Sequence, residues 1–514
     1  MAEPVTAPSE NTDSISSTDG SNTQFGDHGF PWFHRFMDKH HPKLVKTALF
    51  FSGLTLLFPL RIGLNSASYC LKRFKLDEEF FSLYVNRVHN AMEIGCMLAV
   101  TIGNIYVLSY GKYMEAISIA INWLVFLFEI VLLVVFISGG VLGRLTMFYW
   151  SLVASTFIYG LNQVCAFKMG GEDIVYFMAS MPISGILTSF MQFCFLRAFG
   201  DRNIYNTDLL VVAFQLGVFI FISLISASIW TLAYLEQIPK NKNSKKLDDS
   251  NDKNKTITTC SSSNSIAQTK PNDSKGDGST DENKMETESK KFTPHAISGM
   301  LMCIIGLGII YAVYPGIAPG QIMDFENLQR LEMINLIVSA LPSLIIALIS
   351  EVTNYGPNKP WKGGNSFWHG FIIFVIIEIA VGIMIIFSLH HKHTALARSI
   401  IGKPVMASFL TMTYFTCHII AIGVGFPGVD ANSNGTIGTV NLFLSLLFMN
   451  LLELLGEGYV VEYKKYTETT WPTGGMTDCE ALRFWLRRAA ANAWISLKSS
   501  VTTDVRRKLL SSVR

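Results

Sequence analysis

Two carboxylic acids stand where a chain rarely puts them. Glu129 lies in the middle of the run LVFLFEIVLLVVF, and Glu378 in the middle of FIIFVIIEIAVGIMII. At the centre of a membrane helix such a side chain costs about 2.5–3.5 kcal/mol on insertion scales, so each must face a basic partner, the bundle interior or a water-filled cavity. Asn450, Glu453 and Glu457 fall at i, i+3 and i+7, which makes one polar stripe if their segment is helical. Glu93 follows His89 by four residues, and His418 lies in a further apolar run. Carboxylates and imidazoles so placed can accept hydrogen bonds from a solute or carry a proton. They can also hold helices together through interhelical hydrogen bonds, and the residue types leave both readings open.

Prolines form a second pattern. Pro59, Pro182, Pro315, Pro319, Pro342 and Pro404 lie within or at the edges of apolar runs. Each removes a backbone donor and frees carbonyls that neighbours or water must satisfy. The segment Tyr314–Gly320, YPGIAPG, is dense enough to break its helix outright, and broken helices beside a cavity are where transporters often bind solute. The alternative is that the span simply ends there.

These residues are carried by long apolar stretches. Half of the 514 residues are apolar and only 16% are charged, against about 25% in soluble domains. Lys and Arg (41) nearly balance Asp and Glu (39), so the net charge of +2 gives no reason to expect nucleic acid. The apolar residues come in runs approaching the ~20 residues that cross a bilayer as helix. Eleven runs are read, at 45–70, 86–110, 113–138, 145–167, 174–199, 209–235, 295–317, 333–352, 367–390, 400–426 and 437–461. Residues 1–42 read as a polar, disordered tail without the pattern of a cleaved signal peptide. Residues 238–292 contain almost nothing hydrophobic and read as a disordered loop. The chain thus divides into a six-helix bundle at 43–237, the loop, a five-helix bundle at 293–464 and a basic tail at 465–514. In that tail Thr477 and Glu480 have capping-box spacing. Leu482, Trp485, Leu486, Ala489, Ala493 and Leu497 then recur at helical spacing, with Arg483, Arg487, Arg488 and Lys498 off the stripe. Such a helix lies in the membrane interface or docks on the protein's own surface.

Enzyme signatures are missing: there is no GxGxxG opening a helix, no GxxxxGK[ST], no HExxH and no GxSxG in a strand–turn–helix setting. The eight cysteines are scattered, without CxxC or Cys/His clusters, so no zinc site is readable. No catalytic role and no cofactor or metal is expected.

The first span and its exit, with Gly53, Pro59, Leu60, Arg61, Asn65, Ser66 and Tyr69, resembles the opening span of equilibrative nucleoside transporters, which runs from Gly through a Leu-rich step to Pro-Trp-Asn and then Tyr. YPGIAP resembles that family's seventh-span Phe-Pro-Gly/Ala motif, and Gly185 with Thr188 and Ser189 its fifth-span glycine segment. The chain departs from the pattern where Trp-Asn is replaced by Leu60 and Arg61, and where Val338 and Pro342 stand at the charged positions that follow Asn335. The tenth-span Ser-Asn-Gly motif is not found around Tyr414–His418. The resemblance implies an all-α polytopic membrane protein of about eleven transmembrane helices in a 6+5, two-bundle, major-facilitator-like arrangement. It also implies a secondary transporter of nucleosides or nucleobases, by uniport or with proton coupling, in the plasma membrane, with the lipid bilayer and a small-molecule solute as partners and no nucleic acid. The alternatives are another small solute on the same scaffold, or a membrane anchor that no longer transports. Candidate solute-binding residues are Pro59, Arg61, Asn65, Glu129, Tyr314, Pro315, Ala318, Asn335, Glu378, Asn450 and Glu453. Because the family has an uncharged residue at Arg61 and a basic one near Glu378, Arg61 is expected to pair with Glu378 or, failing that, Glu129.

Overall fold

The computed structural model describes residues 31–77, 80–235, 293–501 and 504–511. The tail at 1–30 and the whole hydrophilic loop at 238–292 lie outside the described residues. The chain forms two compact units, Met1–Pro42 and Lys43–Arg514. In the first, residues 31–42 are helical and begin helix α1 (Pro31–Leu56), whereas a disordered tail was expected through residue 42. Proline suits a first helical position, where its missing N–H would have no partner anyway.

The second unit is built of helices among its described residues. α1 stops at Leu56, and α2 (Phe58–Leu64) restarts the same span with Pro59 in its first turn. A proline there removes the amide that would bond back across the turn, so the span is broken at that point. Short α3 (Ala67–Arg73) follows, then α4 (Phe81–Ser109), α5 (Met114–Ile137), α6 (Leu145–Gly170), α7 (Ile174–Phe199) and α8 (Thr207–Tyr234). The second half comprises α9 (Ala296–Val313), α10 (Phe325–Val352), α11 (Ile372–His390, entered through a 3-10 segment Gly363–Phe371), short α12 (Ala395–Ile400), α13 (Pro404–Asn432) and α14 (Gly435–Tyr463). α15 (Asp478–Ser500) and α16 (Val505–Ser511) end the chain.

Among the described residues, ten helical stretches are long and apolar enough to cross a membrane, and one of these, Leu145–Phe199, runs for 55 residues. Its two 26-residue helices, α6 and α7, are separated by a 3-10 turn at Gly171–Asp173. The Phe167 and Phe177 rings lie 6.0 Å apart, whereas ten residues of continuous helix would separate them by about 15 Å. The chain therefore reverses at the turn, and eleven crossings result.

Small residues let the helices approach. A Cβ on Gly160 of α6 would lie 2.6 Å from the Cys96 carbonyl of α4, and one on Gly456 of α14 would overlap the Ala312 carbonyl of α9. Each half packs mainly on itself, and the halves meet along two seams, α4 against α14 and α7 against α10. At the end of the bundle holding the α6–α7 turn, Lys46 pairs with Glu351 at 2.7 Å and Lys359 with Glu172 at 3.4 Å.

The C-terminal helices cross the opposite end. Thr477 and Glu480 form the reciprocal capping box at the start of α15, and the Thr477 N–H holds the Glu480 carboxyl below its ordinary value. α15 docks on α14: a Cβ on Gly458 would overlap the Ala489 carbonyl, and Asn492 donates to the Gly458 carbonyl at 3.2 Å and to Glu462 at 3.0 Å. Trp485 is buried among His390, Tyr459, Trp471 and Phe484, with ring centroids 5.0–5.6 Å away. Beyond this the chain passes to the first half. Arg87 donates to Ser499 at 3.3 Å, Tyr149 donates to the Ser500 carbonyl at 2.7 Å, and Arg506 donates to the Phe74 carbonyl at 2.7 Å. The inner face of the tail helix is thus docked on the protein. Leu482, Leu486, Trp494 and Ile495 remain exposed on its outer face.

Candidate functional site

Nine helices enclose a central cavity of about 1070 Å³, its mouth included, which lies near the middle of α4, α6, α10 and α14. The first half contributes Leu60 and Arg61 of α2, Glu93 and Cys96 of α4, Thr156, Tyr159 and Gln163 of α6, and Met178, Met181 and Pro182 of α7. The second contributes Leu307 and Tyr311 of α9, Ser339 and Ser343 of α10, Phe415, His418 and Phe426 of α13, and Met449 of α14. The wall is therefore apolar and aromatic with a few hydrogen-bonding groups from each half, the usual make-up of a small-molecule site.

Arg61 is carried into this space by the restart of the first span after Leu57. Its Nε donates to Ser184 Oγ at 3.1 Å, and neither terminal nitrogen bonds a described residue. A Cβ on Gly185 would come within 3.3 Å of the Arg61 Cζ, so glycine in α7 leaves the guanidinium its room. The expected ion pair is not formed: both Glu378 oxygens are without a hydrogen-bond partner among the described residues, and Glu129 accepts from Tyr159 at 2.5 Å. Each acid is fully buried, and neither lines the cavities that Arg61 borders. Glu378 lies beside Gly306 of α9, where a Cβ would stand 3.6 Å from its Oε2. His418 Nδ1 lies 2.9 Å from the Gly306 carbonyl. A carbonyl can only accept, so Nδ1 carries a hydrogen, and in the neutral ring Nε2 is an acceptor.

Two smaller cavities adjoin the central one. One of about 430 Å³ lies past Arg61 and is lined by Asn65, Tyr311, Tyr314, Pro315 and Glu332. It continues into another of about 550 Å³ lined by Asn65, Ser68, Tyr69, Ser189 and Gln192. A third cavity of about 300 Å³ follows the α4–α14 seam, with His89, Asn90, Tyr314, Pro315, Glu453 and Glu457 in its wall. There the His89 Nδ1 is 2.6 Å from Glu453 Oε1 and its Nε2 is 3.7 Å from Glu93 Oε1. Asn90 donates to Glu457.

Of the residues singled out by sequence, Arg61, Asn65, Tyr314, Pro315 and Glu453 line these spaces. Pro59, Ala318, Asn335, Glu378 and Asn450 are buried and line none of them, and Glu129 sits behind Tyr159. YPGIAPG does not interrupt a span: α9 ends at Val313, Tyr314 is extended, and the prolines form the turn toward α10. Ala318 is fully buried in that turn. Glu332 was missed because a charge near a span's end looks like an interfacial residue. Tyr159, Tyr311 and Phe415 were missed because an aromatic in an apolar run carries no mark of which face it occupies. Among the described residues, no group of three or more His, Cys, Asp or Glu side chains is placed to hold a metal ion.

No family model matches the sequence, and no curated protein matches it. Among solved structures, the chain is similar to a D-xylose–proton symporter at 9% identity, covering 89% of this chain and 97% of that one with a TM-score of 0.49. It is similar at 8% identity to a bacterial homologue of the iron transporter ferroportin (90% and 98% covered, TM-score 0.41). A bacterial homologue of the human lysosomal transporter Spinster is 12% identical (92% and 95% covered, TM-score 0.40).

Proposed function

We propose that this chain is a secondary transporter that moves a nucleoside or nucleobase by alternating access, the central cavity being its solute site. The observation that carries this reading is a cavity at mid-span whose polar groups come from both halves, with Arg61, Glu93 and Gln163 facing Ser339, Ser343 and His418. A membrane anchor has no use for an arginine and a glutamate around a cavity in the middle of its spans. Tyr159, Tyr311, Phe415 and Phe426 offer ring faces for a base, and the polar groups suit ring nitrogens, carbonyls and ribose hydroxyls. The likeness of the first-span exit and of Gly185 to nucleoside transporters favours that solute class. Arg61, absent from that family's pattern, favours a second reading, a different small solute with an acidic or carbonyl group for the guanidinium.

The test is uptake of radiolabelled adenosine, hypoxanthine and unrelated solutes by liposomes containing the full chain. Saturable purine uptake is expected, with Arg61→Ala reducing it by about tenfold, the loss of one charge-assisted hydrogen bond. Failure to move any purine or pyrimidine, with insertion confirmed, would refute the nucleoside reading.

A further inference from the structure

His89 lies where the two halves meet, with a carboxylate against each ring nitrogen. Glu453 on α14 is 2.6 Å from Nδ1, and Glu93, one turn along α4, is 3.7 Å from Nε2. His89 and Glu453 are both 4% exposed. A neutral imidazole has one N–H, so it can satisfy only one of these acids and must turn a lone pair toward the other. With one further proton, on the ring or on a carboxyl group, every facing pair becomes donor against acceptor. Apart from His89, no described group donates to either Glu453 oxygen. The charged and titratable groups nearby are Arg87 on α4, Glu457 on α14, Tyr311 on α9 and Tyr149 on α6. Arg61 on α2 faces Tyr311 across the cavity. Arg87 is turned to Ser499, and Glu457 is held by Asn90, so neither completes the trio.

We propose that His89, Glu93 and Glu453 form a proton-binding site that couples proton movement to opening of the α4–α14 seam. Two observations carry the coupling. The acids belong to different halves, so the extra proton offsets one of two carboxylates that face each other through the ring. Its loss leaves Glu93 on α4 and Glu453 on α14 as like charges across the seam, which weakens its closure. The site also touches two spaces: Glu93 lines the central cavity, while His89 and Glu453 line the cavity along the seam. A proton can thus enter from one and leave to the other when the halves rock. One proton binds per closing of the seam and is released on opening. This inference rests on the transporter reading and adds its coupling ion.

The experiment uses the full chain in liposomes, with uptake of adenosine and hypoxanthine measured with and without an inward gradient of one pH unit. Coupling of one proton per solute gives up to about tenfold accumulation in the wild type, abolished by a protonophore. In His89→Gln and Glu453→Gln the ratio of accumulation with the gradient to that without should fall to about one. Wild-type uptake indifferent to the gradient would overturn the proton site and leave the transporter reading standing. If neither purine moves, the nucleoside reading fails, and a solute-free measurement decides the site. Cys96, one turn from Glu93 in the cavity wall, is kept as the sole cysteine and labelled with a small aqueous maleimide at pH 5.5 and pH 7.5. His89→Gln reports the thiol's own pH dependence, and the wild-type to variant ratio of rates should change at least threefold between the two pH values. A constant ratio would overturn the proposal, and Glu453→Gln serves in the same way if the histidine variant does not fold.

Discussion

Tyr159→Phe is expected to destabilise the first bundle more than any other single hydroxyl deletion in the cavity wall. Glu129 is fully buried on α5, its Oε1 accepts from the Tyr159 hydroxyl of α6 at 2.5 Å, and its Oε2 has no partner among the described residues. Deleting the hydroxyl leaves a carboxyl in the protein interior with nothing to bond. A stranded buried polar group costs about 1–3 kcal/mol, and more if charged, against about 1 kcal/mol net for an ordinary hydrogen bond. Glu129→Met removes the other partner. That variant should lose less, because Tyr159 lines the cavity and its hydroxyl can turn to water. The double variant removes both polar ends and keeps the volume, so it should be more stable than Tyr159→Phe alone by about 1–2 kcal/mol, a coupling within the range for residues in contact. The assay is the fraction of monodisperse protein left after heating in detergent, compared as a rank order of the four chains. A Tyr159→Phe chain as stable as wild type would refute the reasoning, as would a double variant no better than the worse single.

Trp485→Ala should release α15 from α14, since truncating a buried aromatic costs about 3–5 kcal/mol. Proteolysis between α14 and α15 should become fast, whereas Leu486→Gln on the exposed face should change nothing. Lys46→Ala should lower thermal stability by less than about 1 kcal/mol, because its pair with Glu351 is largely in solvent; a larger loss would mean that this pair is part of the core. The Glu480 cap has a carboxyl held below its ordinary value, so its contribution is complete above the ordinary carboxylate range and is lost as pH falls through the lowered value. Helicity of the tail should therefore hold between pH 7 and pH 5 and drop only in stronger acid, while Thr477→Ala should show the loss already at neutral pH.

Features that depend on runs and spacing along one helix were legible in the sequence. The crossings, the capping box at Thr477 and Glu480, the stripe of Trp485, Ala489 and Ala493, and the His89/Glu93 turn all come from period and length, and the structure has them. Relations between helices were not readable in this way. Nothing in the spacing tells that Glu453 meets His89, that Arg61 rests on Ser184 rather than on Glu378, or that Tyr159 shields Glu129 from the cavity. Pro59 and YPGIAPG show the limit. A proline marks where a helix cannot continue, yet the same mark broke the first span inside the bundle and merely ended the seventh. The difference lies in the neighbouring residues: Phe58–Leu64 is apolar enough to resume a helix, whereas a second Pro-Gly pair comes four residues after the first in YPGIAPG.

The two ends of the bundle are closed by different physics, which bears on how such a molecule opens. At the end with the α6–α7 turn, the halves are joined by Lys46 with Glu351 and Lys359 with Glu172, pairs whose side chains are at least one-third exposed. Water replaces such contacts readily, and each is worth about 0–1 kcal/mol. At the other end the halves are joined by the buried His89–Glu453 contact and by Asn90 with Glu457, lying beneath α15 as that helix runs from Gly458 and Glu462 on one half to Arg87 and Tyr149 on the other. Separating one member of a buried pair from the other costs about 3–5 kcal/mol when the charge is left unpaired. The ion pairs at the first end give way to solvent, so opening there is resisted by buried packing such as Phe167 on Phe426 and not by charge. Opening at the second needs the charge on the seam to change and the tail to give up one of its two anchorages. Any cycle that visits both states must supply both, which is why a proton site at the seam and a tail docked across it belong to the same step.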